Sequence, residues 1–89
     1  MATAILTVNH EAGLHARPAA TFVKAATSFP CAITLRNLDR DKKAVNAKSM
    51  VMVLTQGVVK GQRIEVIATG EREEEAIAAL RGLIESNFD

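Results

Sequence analysis

The chain has no tryptophan and no tyrosine, and its three aromatic residues are all phenylalanine. Single-stranded nucleic acid is usually held on stacked aromatic rings beside a basic stripe. With a formal net charge of +1 there is no large basic field either, and both features argue against a nucleic-acid module. There is one cysteine, Cys31, so no internal disulfide can form and a reducing cytoplasm is the expected compartment. At an apolar strand position it is read as a small core residue. His10, His15 and Cys31 do not have the spacing of a three- or four-ligand metal site, and none is expected. The opening Met1-Ala2-Thr3-Ala4-Ile5 carries no basic leader, and no apolar run reaches membrane-spanning length, so neither a signal peptide nor membrane insertion is expected.

What is present reads as globular. Hydrophobic residues make up 48% and charged residues 24% of 89 positions, enough for one domain over 1–89 with a modest core. Ala4, Leu6 and Val8 alternate with Thr3, Ile5 and Thr7, predicting a half-buried strand. From Ala16 to about Ser28, Ala19, Phe22, Val23 and Ala26 fall on one helix face, and Pro30 stops the helix. Cys31, Ile33 and Leu35 form a second alternating strand, Asn37 to Lys43 a charged turn, and Ala44 to Ala47 a short third strand closing a hairpin. Ser49 caps a short helix that ends near Leu54 or Thr55. Arg63 to Thr69 is the fourth strand, and Gly70 breaks it. Glu73, Glu74 and Glu75 favour the start of a last helix with Ala76, Ile77, Leu80, Leu83 and Ile84 inward, although Gly82 weakens it by about 1 kcal/mol. The order is βαββαβα, an α+β chain without linker, repeat or low-complexity segment.

Gly13-Leu14-His15-Ala16-Arg17-Pro18-Ala19-Ala20 concentrates the chemistry. The first N–H groups of a helix lack intrahelical partners and carry the positive end of its dipole, so they can hold an anion. Pro18 fits the first turn, where a missing N–H costs no helical bond. His15 falls at about the N-cap, Arg17 brings a charged fork beside it, and Gly13 supplies an unusual φ just before. A helix start disfavours imidazolium, leaving a neutral ring with a nucleophilic lone pair. The pattern points to a phosphoacceptor histidine. His10 has neither an arginine at that offset nor a following helix start, and is read as a loop residue. On the short helix, Met50, Val51 and Leu54 are expected to share an exposed face, with Val53 inward: an adaptable docking surface. Lys24, Lys48 and Lys60 would steer acidic partners.

The histidine segment, with Asn46-Ala47-Lys48-Ser49-Met50-Val51-Met52-Val53-Leu54 and Gly57-Val58-Val59-Lys60-Gly61, resembles the HPr family, the histidine phosphocarriers of the bacterial phosphoenolpyruvate-dependent phosphotransferase system. The resemblance implies an open-faced β-sandwich, a four-stranded antiparallel sheet with three helices on one face. It implies phosphorylation of His15 on Nδ1 by enzyme I, with Arg17 part of the site, and transfer to IIA domains. Such a carrier is not an enzyme in its own right and needs no cofactor, since magnesium and phosphoenolpyruvate are used by enzyme I. It also implies a monomer whose interface includes Ala20, Lys24, Met50, Val51 and Leu54, and a regulatory phosphorylation of Ser49 by HPr kinase/phosphorylase. The long turn Asn37 to Lys43 looks like the HPr-like domain of fructose-specific fusion proteins, whereas the segment from Gly61 to Ala76 looks like the nitrogen-branch relative NPr. A small-ligand-binding regulatory module of the same βαββαβα order is the rival; it would bind a metabolite and carry no phosphate on His15.

Overall fold

The computed structural model describes residues 1–88; Asp89, the last residue of the expected domain, lies outside them. The elements are β1 (Ala2–Thr7), α1 (Ala16–Thr27), β2 (Ala32–Asn37), β3 (Val45–Asn46), α2 (Met50–Thr55), β4 (Arg63–Thr69) and α3 (Glu73–Glu85), with a 3-10 turn at Leu38–Arg40. No helix among the described residues is long and apolar enough to cross a membrane.

The four strands form one sheet in the order β1-β4-β2-β3, and every neighbouring pair is antiparallel. The register explains why only one face is covered. Ala4, Val66 and Leu35 stand in one cross-strand row and Leu6, Ile64 and Asn37 in the next, and all six are buried. Side chains one position along point the other way. Rows such as Thr3–Ile67–Thr34 and Ile5–Glu65–Arg36 therefore face outward, with Ile5 60% exposed. The helices pack on the first face. Pro18, Ala19, Phe22 and Ala26 of α1 and Ala76, Ile77, Leu80 and Ile84 of α3 are buried, whereas Val23 and Leu83 are half-buried at the margins. Phe22 is fully enclosed. Burying a side chain of this size contributes about 1.5–3 kcal/mol. Cys31 is a buried free thiol in the same core.

The turn after β2 departs from expectation. Asn37 belongs to the strand rather than to the exposed turn, and it is fully buried among apolar neighbours. A buried amide is tolerated only if its donors and acceptors are met. Here they are. Its N–H donates to Gln56 Oε1 at 2.8 Å, and its Nδ2 donates to the Gln56 carbonyl and to Gln62 Oε1, each at 3.0 Å. Its Oδ1 accepts the Asp39 N–H at 3.0 Å, which starts the 3-10 turn. Gln56, also buried, donates through Nε2 to the Lys43 carbonyl at 3.0 Å and so closes the far side of the hairpin.

Asp39 then joins this turn to β4. Its carboxylate accepts the Arg63 backbone N–H at 2.5 Å and the Arg63 guanidinium at 3.2 Å, and these bonds, the backbone one first, hold its pKa below the ordinary 3.8. A lowered folded pKa stabilises the fold above the unfolded value, and the stabilisation is lost as pH falls through the folded one. Asp39→Asn is therefore expected to lower the urea midpoint at pH 7. The difference from wild type should shrink as pH falls below 3.8; a difference that persisted unchanged into acid would contradict this assignment.

Candidate functional site

The approach to α1 is set by backbone contacts. Gly13 has φ +62° and lies on the Val58–Val59 peptide, where an added Cβ would collide with the Val58 carbonyl oxygen and stand 2.8 Å from Val59 Cα. Leu14, buried, donates its N–H to that carbonyl at 3.0 Å. The chain is thereby delivered to His15, whose backbone is extended (φ −127°, ψ 162°) and which is the N-cap of α1, as the sequence predicts. Its ring makes no capping hydrogen bond. Ala16, next in line, has φ +49°, a left-handed conformation that costs an L-residue of this kind about 1–2 kcal/mol.

His15 and Arg17 are both exposed. The His15 carbonyl accepts the Ala19 N–H at 3.4 Å, Pro18 has no N–H, and the N–H groups of Ala16 and Arg17 are left without a partner among the described residues. Arg17 makes no ion pair with any described residue. One helix start therefore combines two open backbone donors, an uncompensated guanidinium and an imidazole, the equipment for holding a phosphoryl group. Ala20 and Lys24 are exposed on the same flank as Arg17, at helical spacing.

Two neighbours were not read from the sequence as part of this region. Beside Arg17 a depression of about 340 Å³ lies between the start of α1 (Ala16, Arg17, Pro18, Thr21) and the pair His10 and Phe88. His10 is a loop residue, as expected, but its Nδ1 accepts the Ala12 N–H at 3.0 Å and its ring meets Phe88 edge-on at 5.8 Å. Phe88 arrives there through the end of α3. Asn87 has φ +61° and donates to the Ile84 carbonyl at 3.1 Å, and Phe88 donates to Leu83 at 2.9 Å, the pairing of a Schellman ending. An asparagine followed by an apolar residue after the helix was the available signal.

Around α2 the expectation is corrected in part. Ser49 is the N-cap, its Oγ accepting the Met52 N–H at 3.3 Å. Val53 is buried and Val51 is 71% exposed, as predicted, but Met50 and Leu54 are half-buried against the core, and Met52, 41% exposed, shares the outer surface with Val51. Successive helical residues turn by about 100°, so Val51 points away from Val53 while Met50 and Leu54 flank it on one side. Val59, on the following loop, is 46% exposed. Lys48 is less free than expected, because its Nζ donates to the Phe29 carbonyl at 2.6 Å.

Gly13→Ala is expected to destabilise the fold by more than about 1 kcal/mol, since both the positive φ and the Val58 contact oppose a side chain; an unchanged thermal midpoint would refute the close packing. Ser49→Ala should cost about 1 kcal/mol through the lost cap, read as a fall in midpoint with no change in far-ultraviolet circular dichroism beyond α2.

Residues 2–86 match the family described as the PTS HPr component phosphorylation site. The chain is 40% identical over 85 residues to a multiphosphoryl transfer protein of Haemophilus influenzae, covering 96% of this chain and 17% of that one. It is 40% identical over 82 residues to phosphocarrier protein NPr of Escherichia coli, covering 92% and 89% of the two chains. It thus spans less than a fifth of the multiphosphoryl transfer protein but most of NPr. Among solved structures, HPr-C-His from Thermoanaerobacter tengcongensis matches with a TM-score of 0.93 at 43% identity, over 99% of this chain and 96% of that one. A family match over residues 2–86, with NPr and HPr-C-His alike over most of their length, places the chain in the HPr family of phosphotransferase-system phosphocarriers.

Proposed function

We propose that residues 1–89 are a single phosphocarrier domain that accepts a phosphoryl group from phospho-enzyme I on His15 and passes it to a histidine of a IIA domain. The observation that carries this reading is the exposed His15 at the N-cap of α1, next to N–H groups and an Arg17 without partners among the described residues. The Nδ1 lone pair of His15 attacks phosphorus in line with the donor nitrogen. The new P–N bond forms as the old one breaks, and the electron pair returns to the donor imidazole. Arg17 and the helix-start donors stabilise the equatorial oxygens. Transfer onward is the same step in reverse sense. No small molecule is turned over without a partner, so the chain is a protein substrate that cycles. It needs no cofactor of its own; magnesium and phosphoenolpyruvate belong to enzyme I.

The partner surface comprises Arg17, Ala20 and Lys24 on α1 and Val51 and Met52 on α2, over a floor of half-buried Met50 and Leu54. A monomer in the cytoplasm suits serial docking. Ser49, the cap of α2, is the candidate regulatory site for HPr kinase/phosphorylase: a phosphate at a helix N-terminus is tolerated by the fold and alters the docking surface. Service in the nitrogen branch, rather than sugar uptake, is the second reading, supported by the likeness to NPr over most of both chains.

Intact mass after incubation with phosphoenolpyruvate, magnesium and enzyme I tests the proposal. Wild type should gain one acid-labile phosphate, His15→Ala none, and Arg17→Ala should be phosphorylated roughly a hundredfold more slowly, as when one preorganised donor is removed. Phosphate retained in His15→Ala, or none in wild type, would sink the carrier reading and turn attention to a metabolite-binding module.

A further inference from the structure

The amide cluster of buried Asn37 and Gln56 with half-buried Gln62 has a reach beyond the hairpin. Gln62 Oε1 accepts two bonds at once, from Asn37 Nδ2 and from the Val59 N–H, each at 3.0 Å. Val59 is joined through its own peptide to the Val58 carbonyl, which accepts the Leu14 N–H at 3.0 Å and lies under Gly13. The backbone of Gln62 is held as well: its carbonyl accepts the Val8 N–H at 2.9 Å, and the Val8 carbonyl accepts the Gly61 N–H at 2.7 Å. The segment 57–62 is therefore fastened at Gly61 and Gln62 to Val8, just past β1, and Gln62 Oε1 links its middle, at Val59, to the buried Asn37 side chain of β2. It is the only part of the described structure that bonds the backbone of Leu14, the residue before His15.

We propose that Gln62 is a positioning residue for phosphoryl transfer: with Asn37 and Gln56 behind it, it fixes the Val58 carbonyl and through it the angle at which His15 meets α1. It touches neither the phosphoryl group nor, in this reading, the partner. The cluster is suited to this task because Asn37, at its centre, is fully bonded. Both Asn37 Nδ2 hydrogens, its Oδ1 and its N–H are used, and Gln56 Nε2 is tied to Lys43. With every side-chain donor and acceptor of Asn37 in use, its amide has one favoured arrangement, and Gln62 Oε1 passes that constraint to the loop. The Ala16 backbone makes the fixation consequential, because a residue at φ +49° relaxes unless its flanks are held.

The inference rests on His15 being the phosphoacceptor, and the test separates the two. Three variants are compared with wild type: Gln62→Met, which keeps the bulk and removes the acceptor; Gln62→Asn, which stays polar but falls short of both donors; and Gln62→Glu, which restores an oxygen able to accept both. The readouts are amide hydrogen exchange at Leu14, relative to amides of β4, and the saturation kinetics of phosphate uptake from phospho-enzyme I. In Gln62→Met and Gln62→Asn, Leu14 should exchange roughly tenfold faster while β4 amides keep their protection, as expected for the loss of about one net hydrogen bond. Phosphate uptake should fall in kcat with KM little changed, and Gln62→Glu should recover both. Should Gln62→Met fail to fold, Gln62→Asn and Gln62→Glu still form the comparison. Unchanged Leu14 exchange, or accelerated exchange with an unchanged kcat, overturns the proposal. Absence of phosphate on wild type overturns the carrier reading instead, and with it the catalytic part of this one.

Discussion

The way the chain enters α1 depends on one backbone contact, the seat of Gly13 and Leu14 on the Val58 carbonyl. A helix that presents its N-terminus to a reacting group must be entered at a defined angle. The entering residue cannot use helical bonds to secure that angle, because the donors it would need are the ones left open for the ligand. The angle must be imposed from outside. Here a second loop supplies the acceptor, and the absence of a side chain at residue 13 allows the approach. His15 is exposed, and the residue before it is held by the second loop.

The covered face of the sheet and the helix start divide the work. Apolar rows across β1, β4 and β2 anchor α1 and α3, so the position of α1 is a property of the core. The chemistry sits at the end of that helix, where nothing further is buried. This separation suits a carrier that meets partners of different shape. His15 stands at the end of a helix anchored in the core, while the exposed apolar surface of α2 belongs to Met52, unbranched and adaptable, and Val51.

Local pattern carried most of the fold and the centre of the site. Strands and long helices announce themselves by period, and the histidine, arginine and proline lie within four consecutive positions, so their relation needs no tertiary knowledge. What escaped was non-local or too short. Asn37 reads as a turn residue because its type favours turns, and its burial depends on Gln56 and Gln62, which stand 19 and 25 positions away. The facing of α2 escaped because six residues give too few turns to define a stripe, leaving Met50, Met52 and Leu54 ambiguous. The meeting of His10 with Phe88 joins opposite ends of the chain, and no periodicity encodes it.

The strand order has a consequence for synthesis. β4 is the partner of both β1 and β2, yet it is the last of the four described strands to be synthesised. Before residue 63 has emerged, β1 has no neighbour at all, and β2 has only the two-residue pairing with β3. Loop closure across most of the chain must precede any gain from the sheet, which makes folding a late, concerted event rather than a progressive one. Until then the helix bearing His15 has no sheet to lie on. The organisation of the helix start at His15 thus waits on a strand that begins 48 residues later.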